Sequence, residues 1–264
     1  MTRFGWAGAL AGAVLFAGTA AAQDDDAARW QDLAHDMFGG KPVQDGAAKI
    51  ALDVSERALD AALVPVTISV QNPNEIKSIT LVIDNNPAPV AAYITFGPAG
   101  DPRSVKLRVR VDQYTNIHAV EETNDGALYE THRFVKASGG CSAPSGSYDE
   151  QALADIGQMK LRLLGESQDG HSREAELLIR HPNFNGMQRD EATHGYTPAR
   201  FLKTVDVTLN GEKVLHLDGD ISLAADPAIT FGVHAQSKGK LAIKASDSDN
   251  AVFEHGFDLS PGGS

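Results

Sequence analysis

Val105-Lys106-Leu107-Arg108-Val109-Arg110-Val111 alternates an aliphatic side chain with a basic one along its whole length. A period of two puts the aliphatic residues on one face of an extended strand and the cations on the other, so the segment reads as a half-buried β-strand. Its basic face reads as a solvated sheet face. The same period occurs upstream in Val66/Ile68/Val70 and Ile79/Leu81/Ile83. It returns downstream in Met159/Leu161/Leu163, Ala175/Leu177/Ile179, Val205/Val207/Leu209, Leu215/Leu217, Ile229/Phe231/Val233 and Leu241/Ile243. Turn signals fall between these runs: Asn72-Pro73-Asn74, Asp84-Asn85-Asn86-Pro87, Gly97-Pro98, Asn124-Asp125-Gly126 and the hairpin dipeptide Asn210-Gly211. Short strands at this spacing predict an all-β protein built as antiparallel β-sandwiches. One helix precedes them, because Trp30, Leu33, Met37 and Phe38 recur at helical spacing from Ala27 to Phe38, before Gly39-Gly40 and Pro42. Its stripe is expected to cover the edge of a core.

Residues 1–22 carry one charge, Arg3, then an apolar run, and close on Ala20-Ala21-Ala22, the pattern of a secretory signal peptide. The run is short for a membrane span and leads into Gln23 and three aspartates, so the chain from Gln23 onward is expected to be soluble and periplasmic, without a membrane contact. Loss of the signal takes the formal net charge from −12 to −13. No block of Lys and Arg stands against that balance, which excludes nucleic acid as a partner.

Cys141 is the only cysteine of an exported chain, so within the chain it has no partner for a disulfide. It is reactive, intermolecular or buried and inert. Its neighbours, Ala137-Ser138-Gly139-Gly140 before it and Ser142-Ala143-Pro144-Ser145-Gly146-Ser147 after it, are too small to build a core, which predicts an exposed thiol of ordinary pKa. The same run of small residues marks a boundary between two sandwiches of about 100 residues each.

A cysteine nucleophile needs a fixed histidine and an oxyanion site, and a nucleophile elbow Gly-x-Ser-x-Gly is absent, so the reading assigns no catalytic residue and no enzyme activity. The histidines are scattered, with neither His-x-x-x-His nor Cys-x-x-Cys among them, and no metal site or cofactor is assigned. His181 and His194 flank one polar loop and are the pair that folding could bring together.

Gly139-Gly140-Cys141 resembles the Gly-Gly-Cys tail of SoxY, the carrier subunit of thiosulfate oxidation. In the second half Ile179-Arg180-His181-Pro182, Asn185-Gly186, Arg189-Asp190, Thr197-Pro198-Ala199, Phe201 and Asn210-Gly211 resemble the spine of SoxZ in order and spacing. The whole looks like the fused SoxYZ-like carriers associated with periplasmic quinoprotein dehydrogenases. The resemblance implies two immunoglobulin-like sandwiches, with a SoxY-like unit over 23–142, a linker over 143–155 and a SoxZ-like unit over 156–264. It implies that Cys141 is a covalent attachment point for a sulfur intermediate, with Gly139 and Gly140 as the hinge of an arm. Seven residues from Phe134 to Cys141 give such an arm a reach of about 23 Å. Its implied partners are periplasmic redox enzymes, either Sox-type enzymes or a quinoprotein dehydrogenase. Two departures stand out: Cys141 lies in an interdomain linker, and Ser142-Ala143 replace the glycine that follows it in the family. The alternative is a docking or maturation module for a quinoprotein dehydrogenase, in which Cys141 is incidental. Oligomeric state is not readable from the sequence.

Overall fold

The computed structural model describes residues 18–143, 153–166, 172–189, 194–234 and 239–259. Most of the expected signal peptide, 1–22, and of the expected linker, 143–155, therefore lies outside the described residues. Among the described residues one α-helix, α1 (Gly18–Phe38), precedes fifteen strands. Eight belong to the first half: β1 (Val43–Asp45), β2 (Ile50–Asp53), β3 (Val64–Val70), β4 (Ile76–Ile83), β5 (Val90–Phe96), β6 (Gly100–Val109), β7 (Thr115–Thr123) and β8 (Leu128–Val135). Seven follow: β9 (Met159–Glu166), β10 (Ser172–Ile179), β11 (Leu202–Leu209), β12 (Glu212–Gly219), β13 (Ala228–His234), β14 (Gly239–Asp247) and β15 (Val252–Leu259). Among the described residues no helix is long and apolar enough to cross a membrane.

The strands form two sheets, in the orders β1-β8-β7-β4-β5-β12-β11-β14-β15 and β2-β3-β6-β13-β10-β9. Each sheet runs without a break from one half of the chain into the other. In the first sheet β5 pairs antiparallel with β12, Ile94 opposite Leu217 and Ala92 opposite Gly219. In the second β6 pairs antiparallel with β13, Val105 opposite Phe231. The immunoglobulin-like halves are thus joined edge to edge in both layers, and Ile68, Ile94, Leu217 and Phe231 belong to one contiguous core. Gly97 and Gly100 make the first junction possible, since a Cβ on Gly100 would lie 2.1 Å from the Val214 carbonyl oxygen and one on Gly97 2.3 Å from that of Lys213. The sequence marks Gly97 as a turn; the tertiary use of both glycines is close approach of the second half.

The basic face of β6 is only partly solvated, Lys106 and Arg108 being half-buried and Arg110 fully buried. Lys106 pairs with Glu174 of β10 at 3.0 Å, Arg108 donates to the Asp226 carbonyl at 3.3 Å, and Arg110, 1% exposed, is among the largest fully buried side chains. All three cations meet the second half of the chain, which a strand read in isolation cannot reveal.

Strand β7 escapes a reading by alternation for a related reason. The positions of β7 are buried on both faces, His118 and Glu121 included, because one face packs on the core and the other lies under α1. Two covered faces erase the two-residue period. Helix α1 ends where the sequence places its end, with Gly39 at φ +63° and Gly40 at φ +73° and the Gly40 amide bonded to the His35 carbonyl.

Two continuous sheets over one core imply a single cooperative unit. Leu217→Ala, in the second half, removes a fully buried side chain and should cost about 2–5 kcal/mol. In denaturant titration Trp30 fluorescence, which reports the first half, should shift together with far-UV circular dichroism. Separate midpoints for the two signals would show that the halves unfold independently.

Candidate functional site

The segment Gly139–Ala143 leaves the first half after β8 and lies over the end of β6. Gly139 adopts φ +77°, and the Gly139 and Gly140 amides donate to the carbonyls of Asp112 and Val111 at 2.8 and 3.0 Å. A Cβ on Gly140 would lie 2.0 Å from the Ala61 carbonyl oxygen. The expected hinge is therefore a seat: Gly139 supplies the left-handed backbone and Gly140 lets the loop lie flat.

Cys141 is fully buried, which corrects the expectation of an exposed thiol. Small neighbours build no core of their own, but the other half of the chain closes over them. Asn185 Nδ2 donates to the Cys141 carbonyl at 2.7 Å. Arg110 donates from Nη1 to the Gly140 carbonyl at 3.3 Å and from Nη2 to the Asn183 carbonyl at 3.5 Å, so one guanidinium ties the cysteine loop to the second half. Burial pushes the Cys141 thiol up to about 12, Asp112 adds to the rise and Arg110 opposes it. An ordinary thiol pKa is thus also corrected: in this closed arrangement the sulfur is a neutral thiol and a poor nucleophile. Cys141 is nonetheless absent from the contiguous apolar core. The bonds that hold its loop closed are polar, made by the Asn185 amide and the Arg110 guanidinium to backbone carbonyls.

This closure is braced from below by His181. The Asn183 amide donates to His181 Nδ1 at 3.1 Å, and Asn183 Oδ1 accepts from the Leu202 amide at 3.2 Å. Asn183 sits at φ +45°, a conformation asparagine tolerates better than most side chains. Burial holds His181 below its ordinary range, against the opposing pull of Asn183 and Asp247. His194 is exposed, and no metal-ligating group among the described residues includes it or His181.

A second polar cluster lies on the other sheet. His118 and His132 face each other across β7 and β8, and Glu130 Oε1 lies 2.6 Å from His118 Nδ1 and 2.8 Å from His132 Nδ1. Burial alone would lower the His118 pKa, but bonds to Asp84 and Glu130 raise it. Burial would raise Glu130, and the two imidazoles bring it down to about 2. The sequence reading missed this cluster because its members come from two strands. It also missed the roles of Arg110 and Asn183, whose partners are set by tertiary contact; Asn185 was legible only as a residue resembling the SoxZ spine.

Comparison with known proteins divides the chain at the same loop. Residues 34–141 match the family model of sulfur oxidation protein SoxY, and residues 161–258 match that of sulphur oxidation protein SoxZ. The chain therefore carries a SoxY-family domain and a SoxZ-family domain in one polypeptide. Among solved structures, the sulfur carrier protein SoxY from Chlorobium limicola f thiosulfatophilum is 28% identical over 45% of this chain and 100% of that one, at TM-score 0.39. A superoxide reductase (neelaredoxin) from Ignicoccus hospitalis is 18% identical over 40% of this chain and 90% of that one, at TM-score 0.30. Both scores are low, and the assignment rests on the family matches. No curated protein matches the chain.

Two outcomes are expected. Iodoacetamide should label Cys141 far more slowly in the native chain than in denaturant, and Asn185→Ala should speed native labelling about fivefold, the factor for one lost hydrogen bond of about 1 kcal/mol. Gly140→Ala should speed it further; equal rates in all three chains would mean the thiol is open in solution. The second concerns pH. His181 has a folded pKa below its unfolded value of 6.5, so the unfolded chain takes up the proton first and stability is lost as pH falls below 6.5 toward the folded value. His118 shifts the opposite way and its contribution is already complete below 6.5. Melting temperature should therefore fall between pH 6.5 and 5.5, and His181→Gln should flatten that slope.

Proposed function

We propose that this chain is a sulfur carrier that holds its cargo covalently on Cys141, shields the thiol under the Asn185–Arg110 lid, and offers it to redox enzymes when the loop 139–143 lifts. The observation that carries this reading is that the SoxY match ends on Cys141, the chain's one cysteine. Support also comes from the way the thiol is covered. A lid made of a few hydrogen bonds, each worth about 1 kcal/mol, opens far more readily than an apolar core.

Loading joins Sγ to a sulfur atom of a reduced sulfur substrate. One S–S bond forms, the thiol proton leaves, and two electrons pass to the partner redox enzyme. Such a step requires a thiolate, so the partner must lift the loop before chemistry begins; with burial relieved, the raised pKa returns toward the ordinary thiol range. The partner is a periplasmic redox enzyme, of Sox type or a quinoprotein dehydrogenase, and residues 1–22 are the export signal that brings the chain to it. Residues 23–142 and 156–264 act as the SoxY-like and SoxZ-like units, so the carrier needs no separate SoxZ subunit.

The full burial of Cys141 favours a second reading, a docking module in which the thiol is inert. Intact mass spectrometry of the chain isolated from periplasm without reductant separates the two. A carrier shows a mass adduct at Cys141 that reductant removes, and Cys141→Ser abolishes substrate-dependent turnover while remaining folded. A clean thiol in cells that are oxidising sulfur, with the serine variant fully active, would leave the docking module.

A further inference from the structure

Cys141 lies over β6 of the second sheet; in the first sheet, β7 and β8 bring three metal-binding side chains to one point. His118 and His132 are directly opposed residues of the antiparallel pair, and Glu130 lies two residues before His132 on the same face. One ligand atom from each lies within 4.8 Å of the other two. In a tetrahedral zinc site, bonds of about 2.0–2.1 Å place ligand atoms roughly 3.3 Å apart, so small side-chain movements would bring these three around one ion.

The surroundings fit a ligand set better than a chance cluster. His118 Nε2 lies 3.1 Å from Asp84 Oδ2, and because a carboxylate only accepts, Nε2 carries the hydrogen. By the same rule Nδ1 donates to Glu130 at 2.6 Å without metal, so an ion bound there would displace that proton and take the Nδ1 lone pair. A carboxylate holding the far nitrogen of an imidazole is the usual orienting partner of a metal-ligating histidine. Asp84 is 2% exposed and its Oδ1 has no hydrogen-bond partner, so a carboxylate is buried here beyond what one histidine satisfies. Trp30 of α1 stacks on the His118 ring at 3.7 Å between centroids and 7° between planes, which locks the ring's orientation. The His132 side chain is 56% exposed, and the cluster borders an open cavity of about 660 Å³ lined also by Asp26, Trp30 and Asn116. An ion therefore has a path in, and room for water or an external ligand beside it.

We propose that His118, Glu130 and His132 form a binding site for a first-row divalent transition cation of the zinc class, with Asp84 as the residue that positions His118. Two imidazoles and one carboxylate suit such a cation, whereas calcium and magnesium take oxygen ligands. The divalent charge balances the carboxylates of Glu130 and Asp84. The site is independent of the sulfur-carrier reading.

The test uses the chain from Gln23 onward carrying Cys141→Ser, so that no thiolate competes for the metal. After treatment with chelator and dialysis, zinc chloride is titrated calorimetrically and cobalt(II) chloride by visible absorption. One equivalent of zinc should bind, calcium should not, and cobalt should give the intense d–d bands of a four- or five-coordinate site. His132→Ala truncates an exposed ring and leaves the core intact; it should weaken zinc binding by more than tenfold and remove the cobalt bands. Asp84→Asn should weaken binding 10- to 100-fold. His216→Ala, at the separate exposed pair with Asp206 and Asp218, should change nothing. The site is overturned if no saturable binding is seen, or if stoichiometric binding survives both His132→Ala and Glu130→Gln.

Discussion

The β5–β12 and β6–β13 pairings are the constraint on which the rest of the molecule depends. Each half of this chain, taken alone, would present these strands as open sheet edges, and open edges invite pairing with whatever strand is nearest. Here each edge is closed by the other half. The junction needs backbones at very short range, which is why Gly97, Gly100 and Gly232 stand where a Cβ would meet a carbonyl. Once both layers are continuous, the aliphatic faces of all the inner strands share one core. The outer face of β6 becomes a contact surface between halves.

That contact surface determines the state of Cys141. A flexible glycine-flanked thiol and a stowed thiol can share one local sequence, and the difference lies in what comes over the top. Arg110 reaches from the end of β6 to the carbonyls of Gly140 and Asn183, and Asn185 reaches back to Cys141. None of these bonds involves the sulfur atom itself. The backbone is held and the thiol is merely covered, so release of the loop exposes Sγ without breaking any bond to it. Fusion of the two units supports this arrangement, since the covering loop stays at high effective concentration near the thiol.

Helix α1 plays the corresponding part on the other sheet. Trp30 lies flat on His118, and Arg29 Nε donates to the Asp84 carbonyl at 2.8 Å, so the helix is fastened to the polar end of β7 and to the turn after β4. Its Leu33, Ala34 and Met37 are partly or fully covered. The helix converts what would be a solvated sheet face into a second interior, and it is there that histidines and carboxylates are buried together.

Much of the fold was legible before any coordinates. Alternation in Val66–Val70, Ile79–Ile83 and Val105–Val111 identifies β3, β4 and β6 because each turns one face to a core. The Asn210-Gly211 hairpin and the end of α1 at Gly39-Gly40 follow from backbone angles that few residues accept. The place of Cys141 in the chain, and its status as the sole cysteine, also come from sequence. Its burial does not, nor does the seat beneath Gly140, the burial of Arg110 or the meeting of His118 with Glu130 and His132. Local sequence encodes which face of a strand is apolar and where the chain turns. It carries no record of which distant backbone will lie against that face, and solvation, proton affinity and convergence of side chains are all set by that second surface.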